Sequence, residues 1–542
     1  LGKKKILLLG DTAIAKAGID AGISGVYAYP GTPSTEIMEY VLNSKEAAAG
    51  NIHRQWSANE KTALEAALGM SYAGKRAMSC MKHVGLNVAA DPFINSGITG
   101  ANGGLLVVAA DDPSMHSSQN EQDSRFYGKF ALIPTLEPSN VQEAYDMVFY
   151  GFEFSEKYNI PVLLRITTRL AHSRAGIITR KPLSQNELKL PENKRQYVLL
   201  PVFARKSYKR LLSLYSTFLE ESQQSIYNRF SDGQDKQLGI VACGLGYNYL
   251  MENFTDRQCP YPVVKVGQYP APKSMIETLV NECEEILFIE EGMPFLEEQL
   301  RGLLDADRDV KVKGRMSGEL PRDGELSPNL VRIALGMDDL RGNPVPDLVV
   351  PRPPAFCKGC AHADTYLAIN EAVKDVYGDG HVFSDIGCYT LGALPPYESI
   401  NSCVDMGASI SMAKGAADAG FFPSCCVIGD STFTHSGMTP LLDAVIEKSN
   451  IVVFIADNST TGMTGGQDSH AYGRLKSICL GLGIEKEHFH IVNLAPRTHQ
   501  ELVNIIKREI EYKGPSVIVP TRECVQTLRK HAKSKKGKGG SQ

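Results

Sequence analysis

Short apolar runs alternate with amphipathic stretches along most of the chain. Lys5 to Leu9, Gly25 to Tyr29, Arg76 to Met81 and Leu105 to Ala110 predict strands, and Thr12 to Ala21 and Glu60 to Ala73 predict helices between them. This alternation predicts a mostly parallel sheet covered on both faces, over residues 1–195. Residues 190–235 are polar and weakly patterned, with Pro191 and Pro201 as breakers, and predict a connecting region. The alternation resumes with strands at Leu238 to Ala242, Tyr261 to Val266 and Glu285 to Ile289, defining a second block over 235–345. Five prolines between Arg341 and Pro354 mark a stiff linker. A third α/β block follows over 355–525, and a Lys/Gly/Ser-rich tail, expected to be disordered, covers 526–542. The expected fold class is α/β, with three doubly wound domains.

A length of 542 residues fits about three domains. With 43% hydrophobic and 22% charged residues there is ample apolar surface for several cores. No run of about 20 apolar residues occurs, so no membrane-spanning helix is expected. Lys3-Lys4-Lys5 resembles the start of a signal peptide, but its apolar run stops at Gly10-Asp11. A cytoplasmic protein is expected, and its twelve cysteines then read as thiols or metal ligands rather than a disulfide framework. Six of the 57 basic residues fall in the tail, leaving 51 against 61 acidic groups in residues 1–525. That acidic body argues against a nucleic-acid partner.

The chemistry concentrates in the third block. The apolar run Cys425 to Ile428 ends in Gly429-Asp430-Ser431, and the next, Ile451 to Ala456, is followed by Asn458. Two neighbouring parallel strands would bring an Asp and an Asn to one carboxyl edge, where open α/β sheets bind ligands. Mg²⁺ takes such oxygen ligands together with a diphosphate, and Gly429, Gly437, Gly462, Gly465 and Gly466 let backbone approach phosphate closely.

This arrangement resembles the diphosphate-binding half of thiamine diphosphate enzymes, and the resemblance extends over about residues 1–525. Tyr29-Pro30-Gly31-Thr32-Pro33-Ser34, Asn59-Glu60-Lys61, Met81 to Asn87 and His116 to Arg125 are similar to the α subunit of indolepyruvate ferredoxin oxidoreductase. So are Cys357-Lys358-Gly359-Cys360, Asp385-Ile386-Gly387-Cys388 and Gly429 to Phe433. The resemblance implies a pyrimidine-binding domain, a transketolase C-terminal-like domain and a diphosphate-binding domain, in that order. It implies that Glu60 hydrogen-bonds the aminopyrimidine. Asp430 and Asn458 would bind Mg²⁺ through side chains and Thr460 through its carbonyl, with Gly429, Ser431, Gly462, Met463 and Thr464 around the diphosphate. Thr32, His83 and His435 would face the 2-oxo acid. Cys357, Cys360, Cys388 and Cys524 match segments that hold a 4Fe-4S cluster in related pyruvate and 2-oxoglutarate oxidoreductases.

Each residue also has a local alternative. Glu60 could be an exposed first-turn helix residue, and Asp430 or Thr32 a helix N-cap. The histidines could be packing groups, and the four cysteines a zinc site or unliganded thiols. The family's α subunit usually continues into a ferredoxin-like domain with two further cysteine-rich motifs, which residues 526–542 do not contain. The expected activity is oxidative decarboxylation of an arylpyruvate to an acyl-CoA. Coenzyme A is the co-substrate, ferredoxin or a second subunit takes the electrons, and an oligomer is expected. The alternatives are a non-oxidative decarboxylase or carboligase, and a non-catalytic scaffold subunit.

Overall fold

The structure, a computed structural model, describes residues 5–530 apart from 192, 194, 304–309, 341, 351 and 378–381. It divides into two compact units, Leu1–Asn343 and Pro344–Gln542.

The first unit holds two large sheets. In one, strands Val162–Thr167, Leu105–Asp111, Ala77–Lys82 and Gly25–Ala28 lie side by side, all parallel, with His53–Trp56 at one edge. Leu105–Asp111 is buried at every residue, as a strand covered on both faces must be. The second sheet sets Lys311–Lys313, Glu285–Ile289, Leu238–Cys243 and Val263–Val266 in parallel, closed by the antiparallel Arg229–Ser231. After Val263–Val266 the chain continues into Gln268–Tyr269, which pairs with Thr135–Leu136 as the outer strand of the first sheet, so one segment passes directly from one sheet to the other.

Two fully buried arginines reinforce that junction. Arg165 pairs with Asp111 at 2.6 Å and with Glu137, and its guanidinium donates to the Glu291 carbonyl at 2.8 Å. Arg125 pairs with Asp123 at 2.5 Å and with Glu290 of the second sheet at 2.8 Å. Removing one member of such a buried pair strands a charge, at about 3–5 kcal/mol.

Two expectations for this unit are corrected. Lys5–Leu9 does not join the parallel sheet but pairs antiparallel with Arg174–Ile178. Its residues are alternately exposed and half-buried, which suits a two-stranded ribbon and not a strand covered on both faces. The connecting region contains a 24-residue helix, Pro201–Gln224. Pro201 opens that helix instead of breaking it, because the first helical position has no use for the missing N–H. The helix leaves little trace in the sequence because only Leu211, Phe218 and Ser222 are fully buried.

The second unit is built on one all-parallel sheet with spatial order Ile400–Cys403, Val382–Ser384, Ser424–Gly429, Ile451–Ala456, Ser516–Thr521, Phe489–Asn493. Strands Ser424–Gly429 and Ile451–Ala456 are buried throughout and align in register from Ser424–Ile451 to Gly429–Ala456. Residues 525–530 form a helical turn where the tail was expected to begin, and the tail from 531 on lies outside the described residues.

Candidate functional site

In the second unit four adjacent parallel strands end on the same edge. Val382–Ser384 leads into Asp385 and Cys388, Ser424–Gly429 into Asp430, Ile451–Ala456 into Asn458, and Ser516–Thr521 into Cys524. Backbone bonds tie these ends together: Cys524 N–H donates to the Asn458 carbonyl at 3.2 Å and Arg522 N–H to the Asp457 carbonyl at 3.1 Å.

Asp430 is 2% exposed, and its Oδ2 accepts no hydrogen bond. Burial, followed by the nearby Asp457 carboxylate, pushes its carboxyl up to about 7. Gly429, not Asp430, occupies the position before the short helical turn, so the N-cap reading does not hold. A buried carboxylate with an orphaned oxygen is what a cation ligand looks like without its cation. Asn458 is also buried, and its Oδ1 accepts from Thr460 N–H at 3.1 Å. Thr460 Oγ1 donates to the Gln467 carbonyl at 2.9 Å, and the Ser431 and Thr461 hydroxyls are 2.6 Å apart. Thr464 Oγ1 donates to Gln467 Oε1 at 2.6 Å, whereas Met463 is exposed. His435 is buried on a π-helical turn, Phe433–Gly437, with Nδ1 2.6 Å from the Ser436 hydroxyl.

The expected glycines do different jobs. A Cβ at Gly429 would lie 2.6 Å from the Tyr389 ring, and one at Gly437 would lie 2.7 Å from Ile428, so both serve packing. Gly465 and Gly466 have φ of +121° and +85°, a backbone that other residues rarely adopt.

The Cys357–Cys360 turn is closed by Cys360 N–H donating to the Cys357 carbonyl at 2.9 Å. Gly359 supplies the φ of +82° that this turn needs. Arg522, just past the strand that leads to Cys524, pins the turn through the Gly359 carbonyl (3.1 Å) and Asp364 (2.6 Å). The Cys388 thiol is pushed up to about 12, by burial first and then by the charges of Cys360, Cys524 and Cys357. All four thiols thus share one neighbourhood. A Cβ on Gly462 would lie 3.3 Å from Cys388 Sγ, which sets this neighbourhood beside the Asp430–Asn458 edge.

In the first unit Glu60 opens the helix Glu60–Tyr72, whose start is fixed by a capping box between Asn59 and Thr62. Glu60 is 5% exposed, so it is not the exposed first-turn residue of the alternative reading. Gly85 makes room for it: a Cβ there would lie 2.6 Å from Glu60 Oε1. Two residues before Gly85, His83 is buried, with Nε2 3.2 Å from Asn120 Oδ1 and no partner on Nδ1. Thr32 does not cap the following helix, Thr35–Asn43, which Ser34 precedes. Its carbonyl accepts from the Ser117 hydroxyl at 3.4 Å.

Lys82 and Asp385 lie inside motifs the sequence shows and Asp112 just before one, yet none of the three is singled out there as a site residue. Lys82 is buried at the end of its strand and donates to the Ser117 carbonyl at 2.6 Å. Burial draws its ammonium down to about 8, against the opposing charges of Asp112 and Glu60. Asp112 accepts from Ser117 N–H at 2.8 Å, from Ser118 at 2.5 Å and from Thr168 at 2.7 Å. In the second unit Asp385 is fully buried, accepts from Tyr389 and Ser409, and is pushed up to about 7 by burial. Lys82 and Asp385 both lie at carboxyl ends of strands, the position that signalled Asp430.

The family of pyruvate flavodoxin/ferredoxin oxidoreductase thiamine diphosphate-binding domains matches residues 16–201. The thiamine pyrophosphate enzyme C-terminal binding domain matches 385–519. Indolepyruvate oxidoreductase subunit IorA of Archaeoglobus fulgidus is 38% identical over 99% of this chain and 89% of its own length. The chain belongs to the indolepyruvate oxidoreductase IorA family. A second family member, from Pyrococcus abyssi, is 37% identical over 96% of this chain and 86% of its own. The 2-oxoglutarate synthase subunit KorA of Methanocaldococcus jannaschii is 29% identical over 34% of this chain and 52% of its own. A 2-oxoglutarate:ferredoxin oxidoreductase from Magnetococcus marinus, solved with 2-oxoglutarate, coenzyme A and succinyl-CoA, shares the fold. Its TM-score is 0.51 at 17% identity, covering 62% of this chain and 65% of its own. Membership makes this a thiamine diphosphate-dependent oxidative 2-oxoacid oxidoreductase subunit and sets aside the non-oxidative and scaffold readings. Among the described residues no helix is long and apolar enough to cross a membrane.

Proposed function

We propose that this chain is the catalytic subunit for oxidative decarboxylation of an arylpyruvate, with indolepyruvate the leading candidate. One 2-oxo acid and one CoA thiol give one acyl-CoA, one CO₂, one proton and two electrons. The electrons leave to ferredoxin or to a second, partner subunit, and the enzyme works in the cytoplasm as an oligomer. The orphaned, buried Asp430 carboxylate oxygen is the observation that carries the cofactor reading.

Asp430 and Asn458 side chains and the Thr460 carbonyl would hold Mg²⁺. Backbone of Gly429–Ser431 and Gly462–Thr464 would approach the diphosphate. When bound, thiamine diphosphate supplies the carbon nucleophile and the electron sink for loss of CO₂. Glu60, held in place by the room Gly85 leaves, keeps a proton at the aminopyrimidine N1′. Thr32, His83 and His435 would face the 2-oxo acid, and the free Nδ1 of His83 supports a polar contact there. Gly85→Ala tests the Glu60 assignment without touching Glu60 itself. Its methyl group would displace a flexible carboxylate, so the fold should survive while kcat falls about 100-fold.

Cys357, Cys360, Cys388 and Cys524 would hold a 4Fe-4S cluster, which would take the two electrons one at a time and pass each on to ferredoxin or the partner subunit. Their grouping in one neighbourhood supports this choice. Protein purified without oxygen should contain about four irons per chain and reduce a viologen dye only with arylpyruvate, CoA and the partner subunit present. Cys388→Ser should lose both iron and dye reduction. Iron well below one per chain in the parent protein would remove the cluster from this subunit.

A further inference from the structure

We propose that Asp11, Glu36 and His172 form a binding site for a first-row divalent cation such as Mn²⁺, Fe²⁺ or Zn²⁺, separate from the cofactor site. One ligand atom from each residue lies within 4.8 Å of the other two. Three different segments supply them: the first turn of helix Gly10–Asp20, the first turn of helix Thr35–Asn43, and the end of helix Thr168–His172. Gly10 permits the approach. Its N–H donates to the Ser173 carbonyl at 3.0 Å, and any Cβ on it would collide with the Leu170 carbonyl.

Asp11 is the independent sign of a missing ligand. It is fully buried, and neither of its carboxylate oxygens accepts a hydrogen bond. Glu36 Oε2 is buried and equally unserved, while Glu36 Oε1 is 3.7 Å from His172 Nε2. Protonated His172 can balance one of the two carboxylates but not both. A divalent ion bound by two carboxylates and a neutral imidazole balances the set. Burial, the Glu36 charge and a side-chain hydrogen bond with Glu36 raise the Asp11 carboxyl well above its usual range, in that order. Cys80 and Asp112 are the further titratable groups that feel Asp11 and His172.

The donor set selects the class of ion. One imidazole and two carboxylates suit Mn²⁺, Fe²⁺ or Zn²⁺ better than Mg²⁺ or Ca²⁺, which take oxygen alone. Donors about 2.1 Å from a common ion lie at most ~4.2 Å apart, a span that includes the 3.7 Å between Glu36 and His172. Entry is open: the Glu36 and His172 side chains are 35% and 38% exposed, and Glu36 borders a cavity of about 510 Å³ shared with Thr12 and Tyr40. Water from that side would complete the coordination. Bound there, the ion would tie the helix that follows the Tyr29–Ser34 loop to the first helix of the chain.

The test titrates metal-stripped full-length protein with Mn²⁺ at neutral pH and counts bound ion by electron paramagnetic resonance. An Asp430→Ala background removes the proposed Mg²⁺ site. In that background one Mn²⁺ per chain should bind, and adding Asp11→Asn or His172→Gln should weaken it by about tenfold or more. The same difference of one ion should appear with and without Asp11→Asn when Asp430 is intact. Should Asp11→Asn fail to fold, the more exposed His172→Gln carries the test. Mn²⁺ binding unchanged by both substitutions would overturn the site. So would no binding in a protein that acid alone stabilises, which would mean that Asp11 and Glu36 share a proton instead.

Discussion

Glu60→Gln will leave cofactor binding within a few-fold of the parent protein and lower turnover by about 10³-fold, the scale of losing a positioned acid–base group. Glutamine preserves the size of the side chain and one acceptor oxygen, so the room beside Gly85 remains filled. On the proposed role, what would disappear is the negative charge that favours a proton on the aminopyrimidine N1′. Because the residue is buried at a capped helix start, water cannot stand in for the lost charge. Calorimetric titration with thiamine diphosphate and Mg²⁺, paired with dye-reduction kinetics, separates the two effects. Turnover within tenfold of the parent would remove Glu60 from the proton chemistry. A loss confined to affinity would leave it a binding residue only.

The fold is legible in the sequence where strands are buried on both faces, because a short, unbroken apolar run flanked by turn residues fits little besides a core strand. Ile451–Ala456 and Leu105–Asp111 are such runs. Lys5–Leu9 misleads because a run of leucines reads the same in a ribbon as in a core strand, and only pairing partners distant in sequence decide between them. Pro201–Gln224 is hidden for the opposite reason, since a helix that buries so few residues shows little periodicity. At the candidate site Asp430 and Asn458 stand out because both follow recognisable strands. Lys82 lies inside a recognised motif, yet its burial depends on Asp112 and Ser117, thirty or more residues away. Asp11, Glu36 and His172 each look ordinary in the sequence. Only the folded chain sets them together, through a glycine whose need is invisible until its neighbour is known.

Asp430→Ala will abolish Mg²⁺-dependent binding of thiamine diphosphate while leaving the metal-free protein as stable as the parent or more so. The two halves of that result have one cause. Burial and the Asp457 charge raise the Asp430 carboxyl to about 7 from an ordinary value of 3.8. The folded metal-free chain therefore holds this proton more tightly than the unfolded chain does. By linkage its stability falls as pH rises from about 4 towards 7, and the penalty is complete above 7. Alanine removes the buried charge and with it that penalty, so the melting temperature of the stripped variant should not drop at neutral pH. On the proposed role, Mg²⁺ would reverse the balance by supplying the missing positive charge, and only the ionised carboxylate would bind it. In the parent protein Mg²⁺-supported cofactor affinity should accordingly weaken as pH falls below about 7, approaching tenfold per pH unit, while the variant shows neither binding nor that slope. Melting curves with and without Mg²⁺ and cofactor, recorded across this pH range, check every part. A variant that still gains stability from cofactor plus metal would show that the ion is held elsewhere. One that melts far below the stripped parent would show that Asp430 serves the fold and not the ion.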